Sequence, residues 1–305
     1  MLLVAVRNIP VFFESPEEVP NKITNPIKPG VKLSALWIGH ATVLLQMDDK
    51  VIITDPILTE TVGEFARRVV EPGIDIENIP KCDLILISHS HFDHLNYSSL
   101  EMLEEKSVKA PKCSPRTALV FPSGLQKYIP NYNMEYYKMD NNNGYWQSVT
   151  GEQKVINDIK VTSVVAHHWG GRYGFDGYYW GENSFTGYIL EYKGMTVYFA
   201  GDTGYDSVSF KQLGKLYNID LALIPIGPCA DCDHCGTPNH VFPPDAVMLF
   251  KDTKAKWMLP IHYGTLYFAQ AEPDAPLIAL NKIIVADSLQ NQIIPLKIGE
   301  QKIYY

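Results

Sequence analysis

The sequence predicts a mixed, layered α/β fold, and three observations carry that prediction. Short runs of β-branched and aliphatic residues come in bunches, helical stretches fall between and after the bunches, and no strict strand–helix alternation runs through the chain. With 305 residues, 46% of them hydrophobic and 20% charged, the chain has enough apolar surface for a substantial core. No composition break follows Gly30, so residues 31–305 read as one domain. Residues 1–30 carry Pro10, Pro16, Pro20, Pro26 and Pro29 and read as an irregular arm laid on it, because proline removes backbone donors and blocks helix.

In order, residues 32–38, 43–46 and 51–54 read as strands, with the polar stretch 48–50 as a hairpin turn between the last two. Residues 84–87 are wholly apolar, the mark of a strand buried on both faces. A helix is expected over 96–105 with Asn96 or Ser98 as its cap. Strands follow at 134–139 and 145–149, around a polar loop at 141–144, then at 159–166, 185–192 and 196–200. Residues 208–217 read as a helix, 221–226 as a buried strand and 243–251 as a helix with proline in its first turn. The chain closes with a strand at 257–261, a helix at 276–288 and strands at 293–298 and 302–305.

Lys and Arg number 26 against 34 Asp and Glu, a net charge of −8, which argues against general nucleic-acid binding because that affinity rests on cations at phosphates. No apolar run approaches the ~20 residues of a membrane span. The apolar start at 1–6 is short and lacks the layout of a secretory signal, so the expected location is cytoplasmic. The odd number of cysteines, with Cys229, Cys232 and Cys235 crowded together, does not suggest a disulfide framework.

The chemistry concentrates in His89-Ser90-His91-Phe92-Asp93-His94, directly after the apolar strand. Neutral imidazole and carboxylate are good ligands for zinc and similar divalent ions, and a strand end holds them rigidly. Further ligand-type residues recur just past other strands: His167 and His168, then Asp202, then His262. No Gly-x-Ser-x-Gly elbow and no phosphate-binding loop ending in Gly-Lys-Ser/Thr is present.

These stretches resemble the metallo-β-lactamase superfamily, whose motif is HxHxDH with later His, Asp and His ligands. The branch most resembled contains N-acyl-phosphatidylethanolamine-hydrolysing phospholipase D and the ascorbate-6-phosphate lactonases. The supporting segments are 37–42, 54–56, 166–169, 199–205, 223–227, 238–240 and 261–265, in the family's order. The resemblance implies a four-layer αββα sandwich with mixed sheets. It implies one metal held by His89, His91 and His168 and a second held by Asp93, His94 and His262, with Asp202 bridging. His168 is preferred to His167 because the family places its ligand directly before Trp.

Such a pair of divalent cations, zinc above all with manganese or iron as alternatives, would share and activate a water and polarise a phosphoryl or carbonyl oxygen. The resemblance therefore implies a binuclear metal-dependent hydrolase, foremost a phosphodiesterase acting on a small or lipid-like phosphodiester. The alternative is a lactonase or esterase with the same site, and a non-catalytic metal-binding protein ranks below both. Members of the branch often pair, so a homodimer is a further expectation.

Asp93 and His240 are the catalytic candidates, His240 as proton donor to the leaving group or as a grip on a substrate oxygen. His40 and Asp55 are expected to orient ligand imidazoles through hydrogen bonds. Arg172 could receive a phosphate or sit solvated in its loop. Trp169 and Tyr205, with the aromatics at 173, 175 and 178–180, could wall a substrate cleft or cover the core. Cys229, Cys232 and Cys235 could clamp an accessory metal, with His234 as a fourth ligand, or form a reduced loop beside His240.

Overall fold

The computed structural model describes residues 13–63, 66–110, 115–141, 148–172, 176, 184–268 and 272–305. It opens with β1 (Leu33–Gly39), β2 (Thr42–Met47) and β3 (Lys50–Thr54), then a small ribbon of β4 (Thr61–Val62) and β5 (Ala66–Arg67). After β6 (Leu84–Leu86) come α1 (Tyr97–Lys109), β7 (Ala118–Pro122) and β8 (Glu135–Met139). The meander β9 (Thr150–Ile156), β10 (Ile159–Val164), β11 (Gly187–Tyr192) and β12 (Met195–Phe199) follows. The chain ends with α2 (Ser207–Leu216), β13 (Leu221–Pro225), α3 (Pro243–Thr253), β14 (Trp257–Ile261), α4 (Ala275–Ala286) and β15 (Gln301–Ile303).

Two mixed sheets result, of order β15-β1-β2-β3-β6-β7-β8 and β14-β13-β12-β11-β10-β9. Strand periodicity explains how they stack. Leu33, Ala35 and Trp37 of β1, Leu84 and Leu86 of β6, and Ala118 and Val120 of β7 share one core cluster with Val161, Leu190 and Val197 of the other sheet. The alternate residues Leu36, Ile38, Ile85, Leu119 and Phe121 face the opposite way, onto Leu100 and Leu103 of α1. On the far side, Phe210 of α2, Leu249 of α3 and Leu280 of α4 cover the second sheet. The architecture is the expected αββα sandwich, and each fully buried aliphatic or aromatic side chain in it contributes about 1.5–3 kcal/mol.

Helix ends obey local chemistry. Asn96 caps α1, its side chain accepting from Ser99 N at 2.9 Å. Pro243 opens α3 in the first turn, and α3 ends on Lys254 in the left-handed region at φ 55°. Within the arm, Glu17 bridges to Val70, and the Gln46 amide holds Lys28 N at 2.9 Å and Lys28 O at 2.9 Å.

Residues 293–298 form no strand: only Ile293 bridges, to Met258, and Pro295 interrupts the donors a ladder needs. The ribbon strands β4 and β5 and the strands β7 and β9 lie outside the expected elements. The expected strand at 145–149 falls mostly outside the described residues, and β9 begins just after it.

Candidate metal centre

The parallel pairs β3·β6, β12·β13 and β13·β14 bring several strand ends to one rim. There Asp55 leaves β3, the segment 88–94 leaves β6, Asp202 leaves β12 and His262 leaves β14, while His168 follows the antiparallel β10. The two sheets touch at this rim: Thr186 N donates to Ser88 O at 3.0 Å, and a Cβ on Gly201 would stand 2.6 Å from Ser88 Cβ. Gly201 has φ +60°, so glycine is required there on both counts. His40, Asp55 and His262 all carry positive φ, at 54°, 32° and 64°, backbone strain of the kind that gathers at functional sites.

Donor atoms at about 2.0–2.1 Å from one cation stand about 3.3 Å apart in a tetrahedron. His89 Nε2 lies 2.8 Å from His91 Nδ1, and His168 Nε2 lies 3.2 Å from the same nitrogen. In a second group, His262 Nε2 lies 3.2 Å from His94 Nε2, and Asp93 Oδ2 lies 3.6 Å from each. Asp202 Oδ2 reaches both groups, at 4.0 Å from His89 Nε2 and His168 Nε2, 3.3 Å from His94 Nε2 and 3.2 Å from His262 Nε2. All of these residues but His91 are buried.

The partners of the outer nitrogens determine which nitrogens point inward. His94 Nδ1 donates to Asp55 Oδ2 at 2.6 Å, and His168 Nδ1 donates to Asn239 O at 2.9 Å, which turns both Nε2 atoms inward. His40 Nε2 lies 3.0 Å from Asp93 Oδ2 and holds that carboxylate. His40 and Asp55 thus orient members of the candidate set, one a carboxylate and the other an imidazole.

Two buried carboxylates face the imidazoles at the centre, and the charges of these groups depend on one another: burial opposes the charge of His94, but Asp202, Asp93 and Asp55 hold it well above the usual imidazole range. Burial pushes His91 down to about 4 and His40 down to about 3, so both are neutral near pH 7. Burial alone would lower His262 as well, but the carboxylates of Asp202 and Asp93 hold it up at about 9. Burial opposes ionisation of Asp202 and Asp93, yet the facing imidazoles keep both well below the usual carboxylate range. Asp202 Oδ1 and His91 Nε2 are nonetheless buried with no hydrogen-bond partner among the described residues, costly for a polar atom. The groups His89-His91-His168 and His40-Asp93-His94-His262 each bring their donor atoms within 4.8 Å, a donor set suited to borderline divalent ions such as zinc.

His240 lies at the opening, half-buried, with Nδ1 3.6 Å from Asp202 Oδ2 and its ring 5.0 Å from that of His168. Trp169 is half-exposed at the rim, its ring 4.3 Å from His91. Other candidates point elsewhere. His167 turns away, its N donating to Thr203 Oγ1 at 2.8 Å and its ring 6.0 Å from Phe210. Tyr205 commits its hydroxyl to Asp252 at 2.6 Å. Arg172 Nη1 donates to Leu95 O at 2.7 Å and Ser90 O at 3.3 Å, with its guanidinium 4.2 Å over the Tyr97 ring, so it staples the 90–95 loop. The aromatics at 173, 175 and 178–180 lie outside the described residues.

The accessory metal clamp is corrected. Cys229 and Cys232 are joined in a disulfide, which leaves no thiolate pair, and Cys235 is exposed and separate. The reduced-loop reading falls with it. The pair packs under Ala279, Phe242 and Ala275. Reading the sequence also missed Ser88, the Asn239 carbonyl and Phe268, whose ring lies 5.5 Å from His262 and 5.9 Å from His40. Of these only Ser88, flanking the histidine motif, left a signal in the sequence.

The family model described as the beta-lactamase superfamily domain matches residues 50–263, more than half of the chain and nearly all of this rim. The chain belongs to that superfamily. It is 29% identical over 242 residues to N-acyl-phosphatidylethanolamine-hydrolyzing phospholipase D 1 of Caenorhabditis elegans, covering 76% of this chain and 64% of that protein. It is 27% identical to the mitochondrial enzyme of that name from Saccharomyces cerevisiae, over 80% of this chain and 51% of that one. The chain therefore spans less than two thirds of the length of either relative. A UPF0173 metal-dependent hydrolase of Thermodesulfovibrio yellowstonii is 28% identical, with 87% of this chain and 89% of that one aligned. Among solved structures, Igni18, a metallo hydrolase of Ignicoccus hospitalis, superposes with a TM-score of 0.62 at 20% identity, covering 88% of this chain and 97% of its own. The metallo-beta-lactamase fold protein YhfI of Bacillus subtilis gives 0.59 at 15% identity, over 88% and 98%. At these identities the likeness is one of fold.

Proposed function

We propose that the protein is a binuclear metal-dependent hydrolase that cleaves a phosphodiester. The observation that carries this reading is Asp202 Oδ2, which stands within 4.0 Å of imidazole nitrogens from both ligand groups. His89, His91 and His168 would hold one divalent cation and Asp93, His94 and His262 the other, with Asp202 shared. Bound there, two such ions supply an activated water at neutral pH and polarise the phosphoryl oxygen that gains charge.

The chain's own residues account for the rest. Asp55 and Asn239 O fix the imidazoles of His94 and His168 with their Nε2 atoms inward. His240, whose Nδ1 is buried and faces the shared carboxylate, supports a role as the group that holds a proton for the leaving oxygen. Half-exposed Trp169 gives an apolar substituent a surface beside His91. The same reading takes residues 31–305 as one catalytic domain with the arm laid on it.

The preference for phosphodiesters rests on the similarity to the two phospholipases D named above. No helix among the described residues is long and apolar enough to cross a membrane. The test is a substrate panel on metal-analysed protein. Two bound ions with hydrolysis of bis(p-nitrophenyl) phosphate or an N-acylated phosphatidylethanolamine are expected, and turnover confined to lactones or carboxylic esters would replace the phosphodiester reading.

A further inference from the structure

Ser88 belongs to no ligand group, yet its side chain links the two. Its backbone N–H donates to Asp55 Oδ1 at 2.7 Å, and its hydroxyl donates to Asp55 Oδ2 at 2.5 Å. The same hydroxyl lies 2.9 Å from His89 Nδ1. A carboxylate only accepts, so the hydroxyl proton goes to Asp55 and the remaining lone pair of Oγ faces His89. His89 must then carry its proton on Nδ1, which leaves Nε2 bare and turned toward His91 Nδ1. Asp55 Oδ2 meanwhile accepts from His94 Nδ1 at 2.6 Å, which fixes a proton on that nitrogen and turns Nε2 toward His262.

We propose that Ser88 is a positioning residue, and that through it a single buried carboxylate, Asp55, holds a proton on Nδ1 of one imidazole in each half of the centre: His94 directly and His89 by relay. All four groups are buried, at 0% exposure for Asp55 and His94 and 1% for Ser88 and His89, so water does not substitute for a missing partner. The packing of Ser88 against Gly201 fixes the relay in place. The two halves share an orienting anchor behind the imidazoles as well as Asp202 in front of them. A change at Ser88 therefore touches one half, and a change at Asp55 touches both.

The first arm of the test needs no metal and rests on nothing said of the reaction. Long-range proton–nitrogen NMR of the metal-free full chain reads each imidazole tautomer, with His89 assigned by its absence in His89→Gln. Wild type is expected to hold the His89 proton on Nδ1. In Ser88→Ala the ratio of the two tautomers should fall about five- to tenfold, the worth of one hydrogen bond, with His94 unchanged. The second arm rests on the binuclear reading and titrates cobalt into each variant. Ser88→Ala should weaken the His89 half about 10–100-fold and leave the His94 half within about threefold, while Asp55→Asn should weaken both. An unchanged His89 tautomer in Ser88→Ala overturns the proposal, and so does equal weakening of both halves. A wild type that takes up a single ion overturns the binuclear reading instead, and the tautomer ratio still decides for or against Ser88. Should Ser88→Ala not fold, the His89 tautomer in Asp55→Asn decides: it shifts, or the relay is wrong.

Discussion

Asp202 Oδ2 stands 3.2 Å from His262 Nε2, deep under the rim, with its sister oxygen buried and without a hydrogen-bond partner among the described residues. Because the same oxygen reaches His89, His94 and His168, its loss is expected to unsettle both halves. On the binuclear reading proposed above, Asp202→Ala should lower bound metal from two ions to one or none, weaken affinity by more than about 100-fold and abolish hydrolysis together with it, since a direct ligand would cost at least what an orienting residue does. His89→Ala should behave likewise. Elemental analysis and turnover of bis(p-nitrophenyl) phosphate check this, and wild-type activity in either variant sinks the metal mechanism.

His240 is expected to separate binding from chemistry. Its imidazole is pushed below the ordinary value by burial, with Asp202 opposing, and no imidazole–carboxylate hydrogen bond ties it down at 3.6 Å. His240→Ala should retain its metal content while the rate falls about 10²–10⁴-fold, the range of a lost general acid. The measurement is kcat beside metal stoichiometry on one preparation. Metal lost along with rate would make His240 a structural residue.

His89, His94, His168, Asp202 and His262 were legible in the sequence because each follows an apolar strand, and strand ends are where a layered fold collects side chains; His240, in the loop before α3, was legible only through the resemblance. The strands β1 to β3, β6 and β10 to β14 were legible for the same reason: their runs are apolar and bounded by turns. What stayed hidden depends on contacts distant in sequence. Strand β9, Thr150–Ile156, alternates with polar residues at a sheet edge and carries little apolar signal. Strand β7 is apolar but lies between Pro115 and Pro122, which read as breakers. The ties of His168 to the Asn239 carbonyl and of Arg172 to Leu95 O use backbone oxygens, which every residue has and no composition reveals. The Cys229–Cys232 pairing depends on a loop folding back under α4, which spacing alone does not specify.

Arg172 is expected to act as a staple. Its hydrogen bonds to Leu95 O and Ser90 O span the loop that carries His91, Asp93 and His94, and Tyr97 lies beneath the guanidinium. Charged hydrogen bonds of this kind are worth about 1.5–3 kcal/mol, so Arg172→Ala should lose roughly that much stability and weaken metal retention. Arg172→Lys should recover little, because a point charge cannot reach two carbonyls and stack on a ring at once. Denaturant unfolding and the KM for a phosphodiester distinguish the roles. A raised KM with unaltered stability would return Arg172 to the phosphate-binding role.

Asp206 anchors the segment that carries Asp202, and its effect should depend on pH in a defined direction. It caps α2, accepting from Val208 N at 3.2 Å and Ser209 N at 3.0 Å. Burial works against its charge, but the donors from Ser209 and Val208 and the nearby His167 outweigh it and hold its pKa below the ordinary value. A carboxyl depressed in the folded state binds its proton more readily when unfolded, so the cap's stabilisation is fully present above the unfolded value of about 3.9. It is lost as the pH falls through the lower folded value. Asp206→Ala should therefore cost about 1 kcal/mol at pH 7 and Asp206→Asn less, since Asn also caps. Urea unfolding of the metal-free chain at pH 7 and again below pH 4 measures the gap between wild type and Asp206→Ala. It should narrow in acid; a gap that widens there would mean that the folded carboxyl is easier to protonate than the unfolded one, the reverse of what its two backbone donors require.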